Sequence, residues 1–208
     1  NDDFIPDLVR MLDNVIEFFI NNAPDQLSRA SYSAMRERSL GLGAMGFHAY
    51  LQRHNIPFES VLAKGANNRM FTRIKEEAVR ATRQLATERG ECPDGKGYGV
   101  RNAHLLAVAP NASSSIICGN TSPSIEPYRA NAFTQKTKSG SSLLKNEYLQ
   151  HALQEIGMDT EEVWKSVITN GGSVQQLEFL DEYTKDVFKT AVEIDQKWII
   201  EMAGDRQQ

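Results

Sequence analysis

A four-residue apolar run, Leu105–Val108, is followed at once by residues that cannot continue a strand. The run has the length and composition of a buried strand. Pro110 lacks the N–H group that a sheet ladder needs, and Asn111 favours a turn. Three serines follow, from Ser113 to Ser115, before a second apolar pair. The sequence therefore predicts a strand that ends in a turn rich in small polar residues.

This turn has the chemistry of an anion site. Small side chains let the main chain approach a ligand, and successive N–H groups and hydroxyls can form a concavity that binds phosphate. Serine runs are equally common in ordinary loops that bind nothing. Taken without any relative, the residues favour the ordinary loop, and the phosphate cradle stays open as the alternative.

Three glycines, Gly41, Gly43 and Gly46, match the pattern G-x-G-x-x-G between a short strand-like segment and a predicted helix over residues 45–54. A dinucleotide-binding unit also needs an acidic residue after a second strand, about 20 residues on. Glu59 lies near that distance, but the residues before it make a poor strand. We therefore interpret the glycines as positions of close packing between a strand and a helix.

Apolar periodicity along the rest of the chain predicts mainly helices. They span residues 7–22, 66–89, 145–156 and 181–203, with a further helix that begins after Asp159 or Thr160. Residues 131–138 alternate as a strand that could belong to a hairpin. Strands separated by helices and long connections favour an α/β fold with parallel pairing and more helix than strand.

The charged residues in these elements are expected to face solvent. The helix over residues 7–22 has a broad apolar face, which suggests burial between other elements, and Asp13 falls on its polar side. Lys96 and Arg101 border a glycine-rich loop, where solvated cations are a simpler interpretation than phosphate ligands. Glu126 sits between turn residues with no second titratable group paired to it, so a turn role is favoured over acid–base chemistry.

Composition excludes several function classes. The net charge of −4 gives no extended basic surface, which argues against nucleic-acid binding. No apolar run has the length needed to cross a bilayer. The two cysteines, Cys92 and Cys118, form no C-x-x-C motif and are expected to be reduced thiols of a cytoplasmic protein.

Familiar catalytic and metal motifs are missing from the sequence. The four histidines are scattered, without H-E-x-x-H or a Cys/His cluster, so no zinc site is predicted. There is no G-x-S-x-G, which makes the three serines poor nucleophile candidates.

Several segments, in order along nearly the whole chain, resemble the large, catalytic alpha subunit of class I ribonucleotide reductase. They are Arg38–Gly43, Arg101–Ser115, Ser122–Pro127, Asn170–Val174 and Phe188–Ala191. The set taken together is specific, whereas the serine-rich stretch by itself is not.

The resemblance implies that residues 1–208 are a fragment of that family's ten-stranded α/β barrel domain. The loop that holds the substrate phosphates in the family is matched by Pro110, Asn111, Ala112, Ser113 and Ser114. Some members carry an acidic residue at the position of Ala112. With the resemblance, the phosphate cradle becomes the favoured interpretation of the turn.

The resemblance also implies which parts of the enzyme are not in these residues. The family's radical cysteine is flanked by Asn and Glu, and no Asn-x-Cys-x-Glu occurs here. Cys92 and Cys118 match none of the family's redox cysteines, and the relay tyrosines and thiol-bearing tail are expected outside this chain. No catalytic residue, metal ligand or bound cofactor is therefore predicted for it, because the family's di-metal/tyrosyl radical lies in a separate small subunit.

The partners implied are a ribonucleoside diphosphate substrate, the remainder of the alpha subunit and a radical-generating beta subunit, with association into an oligomer. The complete enzyme would reduce ribonucleotides to deoxyribonucleotides for DNA synthesis. Two alternatives remain at this point. One is a non-catalytic nucleotide-binding or scaffold module, and the other is a fragment of a cobalamin-dependent, class II reductase.

Overall fold

A computed structural model of the protein describes residues 3–138 and 140–207, and helices dominate its regular structure. The helices are α1 (Phe4–Asn22), α2 (Ser28–Glu37), α3 (Phe47–Arg53), α4 (Val61–Arg89), α5 (Ala112–Ile117), α6 (Glu147–Glu155), α7 (Glu161–Thr169), α8 (Glu182–Val187) and α9 (Gln196–Asp205). The strands β1 (Ala132–Thr137) and β2 (Gly140–Lys145) pair antiparallel.

The chain separates into two compact units. Unit 1 comprises the chain up to Gly43 together with residues 69–109, and unit 2 comprises residues 44–68 and the chain from Pro110 onward. Across the described residues, no helix combines the length and the hydropathy that crossing a lipid bilayer would require.

Unit 1 contains the parallel pairing that the sequence predicts, but in a reduced form. Leu42 and Leu106 form an isolated parallel bridge. The Leu42 N–H donates to the Leu105 carbonyl at 2.9 Å, and the Ala107 N–H donates to the Leu42 carbonyl at 3.1 Å. The predicted regular strands are therefore wrong in extent, because segments this short make too few ladder bonds to form a sheet. The core beside them consists of Val9, Leu40, Ala78, Ala81 and Leu85.

The glycines are positions of close packing, as predicted, but the neighbours are not the expected strand and helix: Gly43 approaches the segment that pairs with Leu42, and Gly46 approaches the turn at Thr121. A Cβ atom built on Gly43 would lie 2.3 Å from the Ala107 carbonyl oxygen, within unit 1. In unit 2, Gly46 has a φ of +84°, and a Cβ there would lie 2.7 Å from Thr121 Oγ1. Each glycine thus allows a neighbouring segment to approach closer than any side chain would permit.

Helix α1 departs from the prediction on both of its faces. Asp13 was predicted to face solvent and is instead completely buried, beside the buried Val9. The apolar side chains Met11, Val15 and Phe18 are 52%, 58% and 70% exposed. The predicted burial of the whole apolar face is therefore wrong for unit 1 as described.

Asp13 is buried because arginines compensate its charge. Its Oδ1 accepts from Arg38 Nε at 2.9 Å and from Asn102 Nδ2 at 3.1 Å, and its Oδ2 accepts from Arg89 Nη1 at 2.8 Å. Burial opposes ionisation, but the hydrogen bond and charge of Arg38, with help from Arg101 and Asn102, hold the pKa of Asp13 below its usual value.

Arg101 belongs to the same buried cluster, so its prediction as a solvated loop cation is wrong. Its side chain is 12% exposed, and its Nε lies 3.5 Å from Asp13 Oδ1. Its Nη1 also donates to the carbonyls of Arg89 and Gly90 at 3.0 and 3.2 Å. The cation therefore stabilises the end of α4 in unit 1.

Unit 2 is built on the hairpin and the helices that follow it. The strand predicted over residues 131–138 is confirmed as β1, and it does form a hairpin, in which Phe133 pairs with Leu144. Thr160 begins α7 as one of the two predicted caps, its side chain accepting the Val163 N–H. The core consists of Ala132, Leu149, Leu153, Val163, Trp164, Val167, Val174, Leu177, Leu180, Val187 and Phe188.

The single helix predicted over residues 181–203 is wrong, because residues 188–195 separate α8 from α9. Asp195 begins α9, and its side chain accepts the Lys197 N–H at 2.9 Å. The Thr190 N–H donates to Glu193 Oε2 at 2.7 Å. Such side chains accept hydrogen bonds from main-chain N–H groups that lie outside a helix. A prediction from apolar periodicity does not include these bonds and therefore extended one helix across residues 188–195.

Candidate functional site

The serine-rich segment forms the first turn of a short helix. Asn111 precedes α5 with φ +52° and ψ +25°, in the left-handed region that asparagine tolerates better than most residues. The chain turns there and enters α5 at Ala112. The sequence predicted the turn but not the helix, because six residues are too few to show an apolar period.

The residues that open α5 are accessible to solvent. Ala112, Ser113 and Ser114 are all exposed. The first N–H groups of a helix have no acceptor within it. In α5 the first N–H to donate to a preceding carbonyl is that of Ser115, which donates to the Asn111 carbonyl at 2.9 Å. No hydrogen bond joins the hydroxyl of Ser113 or Ser114 to another residue of the described chain. This exposed turn therefore contains several hydrogen-bond donors that have no acceptor within the helix.

Ser115 differs from the two serines before it. Its side chain is 3% exposed, and its Oγ donates to the Ala112 carbonyl at 3.0 Å. Its own carbonyl accepts the Thr121 N–H at 3.1 Å. Ser115 thus fixes α5 to the turn that follows, whereas the five predicted site residues, Pro110 to Ser114, lie together at the start of the helix.

The turn after α5 is held in place by α3. The Gly46 N–H donates to the Ser122 carbonyl at 2.9 Å, and Ser122 Oγ accepts the Ala49 N–H at 3.0 Å. Because Gly46 has no side chain, Thr121 Oγ1 can lie directly against it. Thus α3 supports the segment on which α5 rests.

His48 extends this support as a neutral, fully buried residue. Its Nδ1 accepts the Tyr128 N–H at 2.9 Å, and its Nε2 lies 3.4 Å from Gln52 Nε2, which donates to the Val187 carbonyl. Desolvation lowers the pKa of His48 to about 3. The hydroxyl of Tyr128 donates to the Asn120 carbonyl at 3.1 Å, which links this histidine to the end of the loop. Sequence reasoning noted His48 only as one of four scattered histidines.

A set of buried amides, also missed from the sequence, fixes the base of the hairpin. Asn131 Nδ2 donates to the carbonyls of Gly172 and Phe188 at 3.0 and 2.7 Å. Asn146 Nδ2 donates to Asn131 Oδ1 at 2.9 Å and to Gln52 Oε1 at 2.8 Å. A burial pattern could not reveal these contacts, because asparagine is usually a surface residue.

The loop offers donors without charge. Residues 110–125 contain no Asp, Glu, Lys or Arg, so no carboxylate of the segment would repel an anion. In the described part of the chain, no group of three or more His, Cys, Asp or Glu side chains could hold a metal ion. The segment is therefore suited to hydrogen bonding with an anion.

The family profile for the ribonucleotide reductase barrel domain matches residues 2–97 and 93–208. A protein of Frog virus 3 (isolate Goorha) is 52% identical over 208 residues, which is 99% of this chain and 37% of the viral protein. The ribonucleoside-diphosphate reductase large subunit of Invertebrate iridescent virus 6 is 50% identical over 211 residues, which is 100% of this chain and 22% of that protein. The chain thus spans well under half the length of these curated relatives.

A solved structure gives the same result for the fold. The alpha subunit of the class Id ribonucleotide reductase of Actinobacillus ureae matches with a TM-score of 0.90 and 42% sequence identity. The match covers 99% of this chain and 38% of that one. With a profile that spans the chain and relatives that match it from end to end, the chain belongs to the ribonucleotide reductase family, in the region of its barrel domain.

Proposed function

We propose that this chain is part of a ribonucleoside-diphosphate reductase large subunit of class I, and that Pro110–Ser114 holds the diphosphate of the substrate. The observation that carries the second part is the exposed first turn of α5. There, the exposed residues 112–114 offer N–H groups that have no acceptor within the helix and two serine hydroxyls, in a segment without charged side chains. Donors of this kind bind phosphate by hydrogen bonding, which suits a chain whose net charge is −4.

The whole subunit would reduce ribonucleotides to deoxyribonucleotides. In this proposal the described helices and the Leu42–Leu106 pairing form part of the family's ten-stranded barrel, and other parts of the large subunit supply the radical and redox cysteines. The radical itself comes from a separate small subunit with a di-metal/tyrosyl centre, so this chain binds no cofactor. The similarity to a class I alpha subunit and to viral large subunits supports this assignment over a cobalamin-dependent one.

The binding role is tested by calorimetry with a ribonucleoside diphosphate. Replacing Ser113→Ala and Ser114→Ala together removes both hydroxyls and leaves the main chain in place. Each hydrogen bond to a charged group contributes about 1.5–3 kcal/mol, so we expect an affinity loss of at least about tenfold. The control Ser33→Ala removes an exposed hydroxyl from α2 and should leave the affinity unchanged.

The same titration distinguishes the proposal from a scaffold role. A scaffold module would bind the diphosphate no better than inorganic phosphate, and the serine substitutions would not change its affinity.

A turnover assay is a second test. The 208-residue chain mixed with a radical-generating subunit should produce no deoxyribonucleotide, because neither Cys92 nor Cys118 lies in the Asn-x-Cys-x-Glu context of the radical cysteine. Measurable turnover would contradict the division of roles.

A further inference from the structure

The hairpin of β1 and β2 is a basic projection on an acidic chain. Residues 127–146 contain four positive charges and no Asp or Glu, although the whole chain has a net charge of −4. The cations are Arg129, Lys136, Lys138 and Lys145. Among the described residues, none of these four side chains forms an ion pair with a carboxylate of the chain. Such a local excess of one sign favours a partner of the opposite sign.

The outer edge of β2 is open to a further strand along residues 141–143, whereas the Lys145 carbonyl already accepts from Asn120 Nδ2 at 3.4 Å. The described sheet contains only β1 and β2. Residues 140–143 of β2 are exposed, and Leu143 is 47% exposed. The exposed edge of a strand is a template for pairing with an extended segment of another chain. Leu143 lies opposite Thr134, on the same face as Lys136, so an apolar contact and a cation are available together.

The base of the hairpin is rigid, which lowers the cost of ordering on binding. Buried Asn131 and Asn146 hydrogen bond to each other across the two strand ends, and the Asn146 N–H donates to the Asn131 carbonyl at 2.8 Å. Lys145 lies over the Trp164 ring, with Nζ 4.7 Å from its centroid. A fixed base with exposed arms is a preorganised surface for a partner.

We propose that the outer edge of β2 docks an acidic, extended segment of a partner protein as a third strand, with Lys136 and Lys138 contacting its carboxylates. Main-chain hydrogen bonds would supply affinity, and the cations would select the partner. The surface shares no residue with the loop at Pro110–Ser114, although Asn120 Nδ2, after α5, donates to the Lys145 carbonyl of β2 at 3.4 Å. The proposal therefore does not depend on whether that loop binds a diphosphate.

The test measures fluorescence anisotropy of a labelled (Glu-Thr)6 peptide with the 208-residue chain. We expect binding that weakens as salt increases, because the cations are exposed. The double substitution Lys136→Glu/Lys138→Glu should weaken it at least tenfold. The control Lys96→Glu/Lys165→Glu makes the same change in net charge at exposed sites outside the hairpin and should have little effect.

Four further probes identify the occupant: two peptides, single-stranded DNA and anionic vesicles. A (Lys-Thr)6 peptide should not bind. A (Glu-Thr)6 peptide N-methylated at alternate residues, which loses half of its main-chain donors, should bind at least tenfold more weakly. Equal binding of the methylated peptide, an equal loss with the control substitutions, or tighter binding of single-stranded DNA or anionic vesicles than of the acidic peptide would overturn the proposal.

Discussion

Asn146 donates a hydrogen bond from Nδ2 to Oδ1 of Asn131 across 2.9 Å, with both side chains buried. The pair lies where the hairpin meets α6, and Asn146 Oδ1 also accepts the Tyr148 N–H at 3.0 Å as the cap of that helix. One side chain therefore closes the strand pair, begins a helix and bonds to Gln52.

Replacement of this asparagine should destabilise unit 2. Asn146→Ala leaves buried groups of Asn131 and Gln52 without partners and removes a helix cap, which together should cost about 2–4 kcal/mol of unfolding free energy. Urea unfolding measures the change. The control is Asn170→Ala on an exposed side chain that makes one local hydrogen bond, where we expect a small change. Equal losses for both substitutions would contradict the account of the pair.

Removal of the buried carboxylate in unit 1 should be more severe. Asp13→Ala leaves the cations of Arg38 and Arg89 without their partner, and breaking a buried ion pair in this way costs about 3–5 kcal/mol. The matched control on the same helix is Asp7→Ala, at an exposed position. The difference in denaturation midpoint between the two variants checks the prediction. A loss under 1 kcal/mol for Asp13→Ala would show that the cluster is solvated.

The buried His48 makes stability depend on pH. In the unfolded chain its pKa is near 6.5, whereas desolvation lowers its pKa to about 3 in the folded protein. Below pH 6.5 the unfolded state takes up a proton that the folded state does not. The contribution of neutral His48 to the free energy of unfolding is therefore complete above pH 6.5. It falls by about 1.4 kcal/mol per pH unit as the pH is lowered from 6.5 toward 3.

Unfolding measured from pH 7 to pH 4 in the parent chain and in His48→Gln isolates this contribution. The variant should be less stable at pH 7, but its free energy of unfolding should decrease less steeply than that of the parent as the pH falls. His54→Gln, at an exposed histidine, should keep the parent slope. An unchanged slope in His48→Gln would mean that His48 is not the group responsible.

The approach at Gly43 predicts a packing defect that can be measured. Gly43→Ala would place a Cβ 2.3 Å from the Ala107 carbonyl oxygen, so the segment that leads toward the loop must shift. We expect a loss of about 1–3 kcal/mol, as for other overpacked positions. Gly204→Ala in α9 meets no atom within 4 Å and should instead stabilise the helix by about 0.5–1 kcal/mol. A neutral Gly43→Ala would contradict the close approach.

The sequence predicted the features that depend on local chemistry. The asparagine turn before Ser113, the cap at Thr160 and the strand that became β1 were all visible, because turn residues, caps and alternation act over a few positions. The close approach at Gly43 was predicted for the same reason, since a missing side chain implies a near neighbour, but the identity of that neighbour was not.

The predictions that were wrong concern features that depend on residues distant in the sequence. Asp13 was placed on the polar side of its helix because its compensating cations come from positions 38, 89 and 101. Helix α2 was not predicted, because its ten residues are mostly polar and small and include no Leu, Ile, Val or Phe to mark an apolar face. Ser113, Ser114 and Ser115 look alike in the sequence, and only their surroundings separate the exposed pair from the buried one.

The most direct measurement of the central claim is the change in amide NMR signals of the 208-residue chain on titration with a ribonucleoside diphosphate. The account predicts saturable shifts concentrated at the N–H groups of Ala112, Ser113 and Ser114, with smaller shifts at Asn111 and Ser115. The hairpin signals should not move, which separates this site from a general attraction of anions to basic residues. Saturable shifts that spare residues 112–114, or that appear only at the hairpin cations, would contradict the assignment of this loop to the substrate diphosphate.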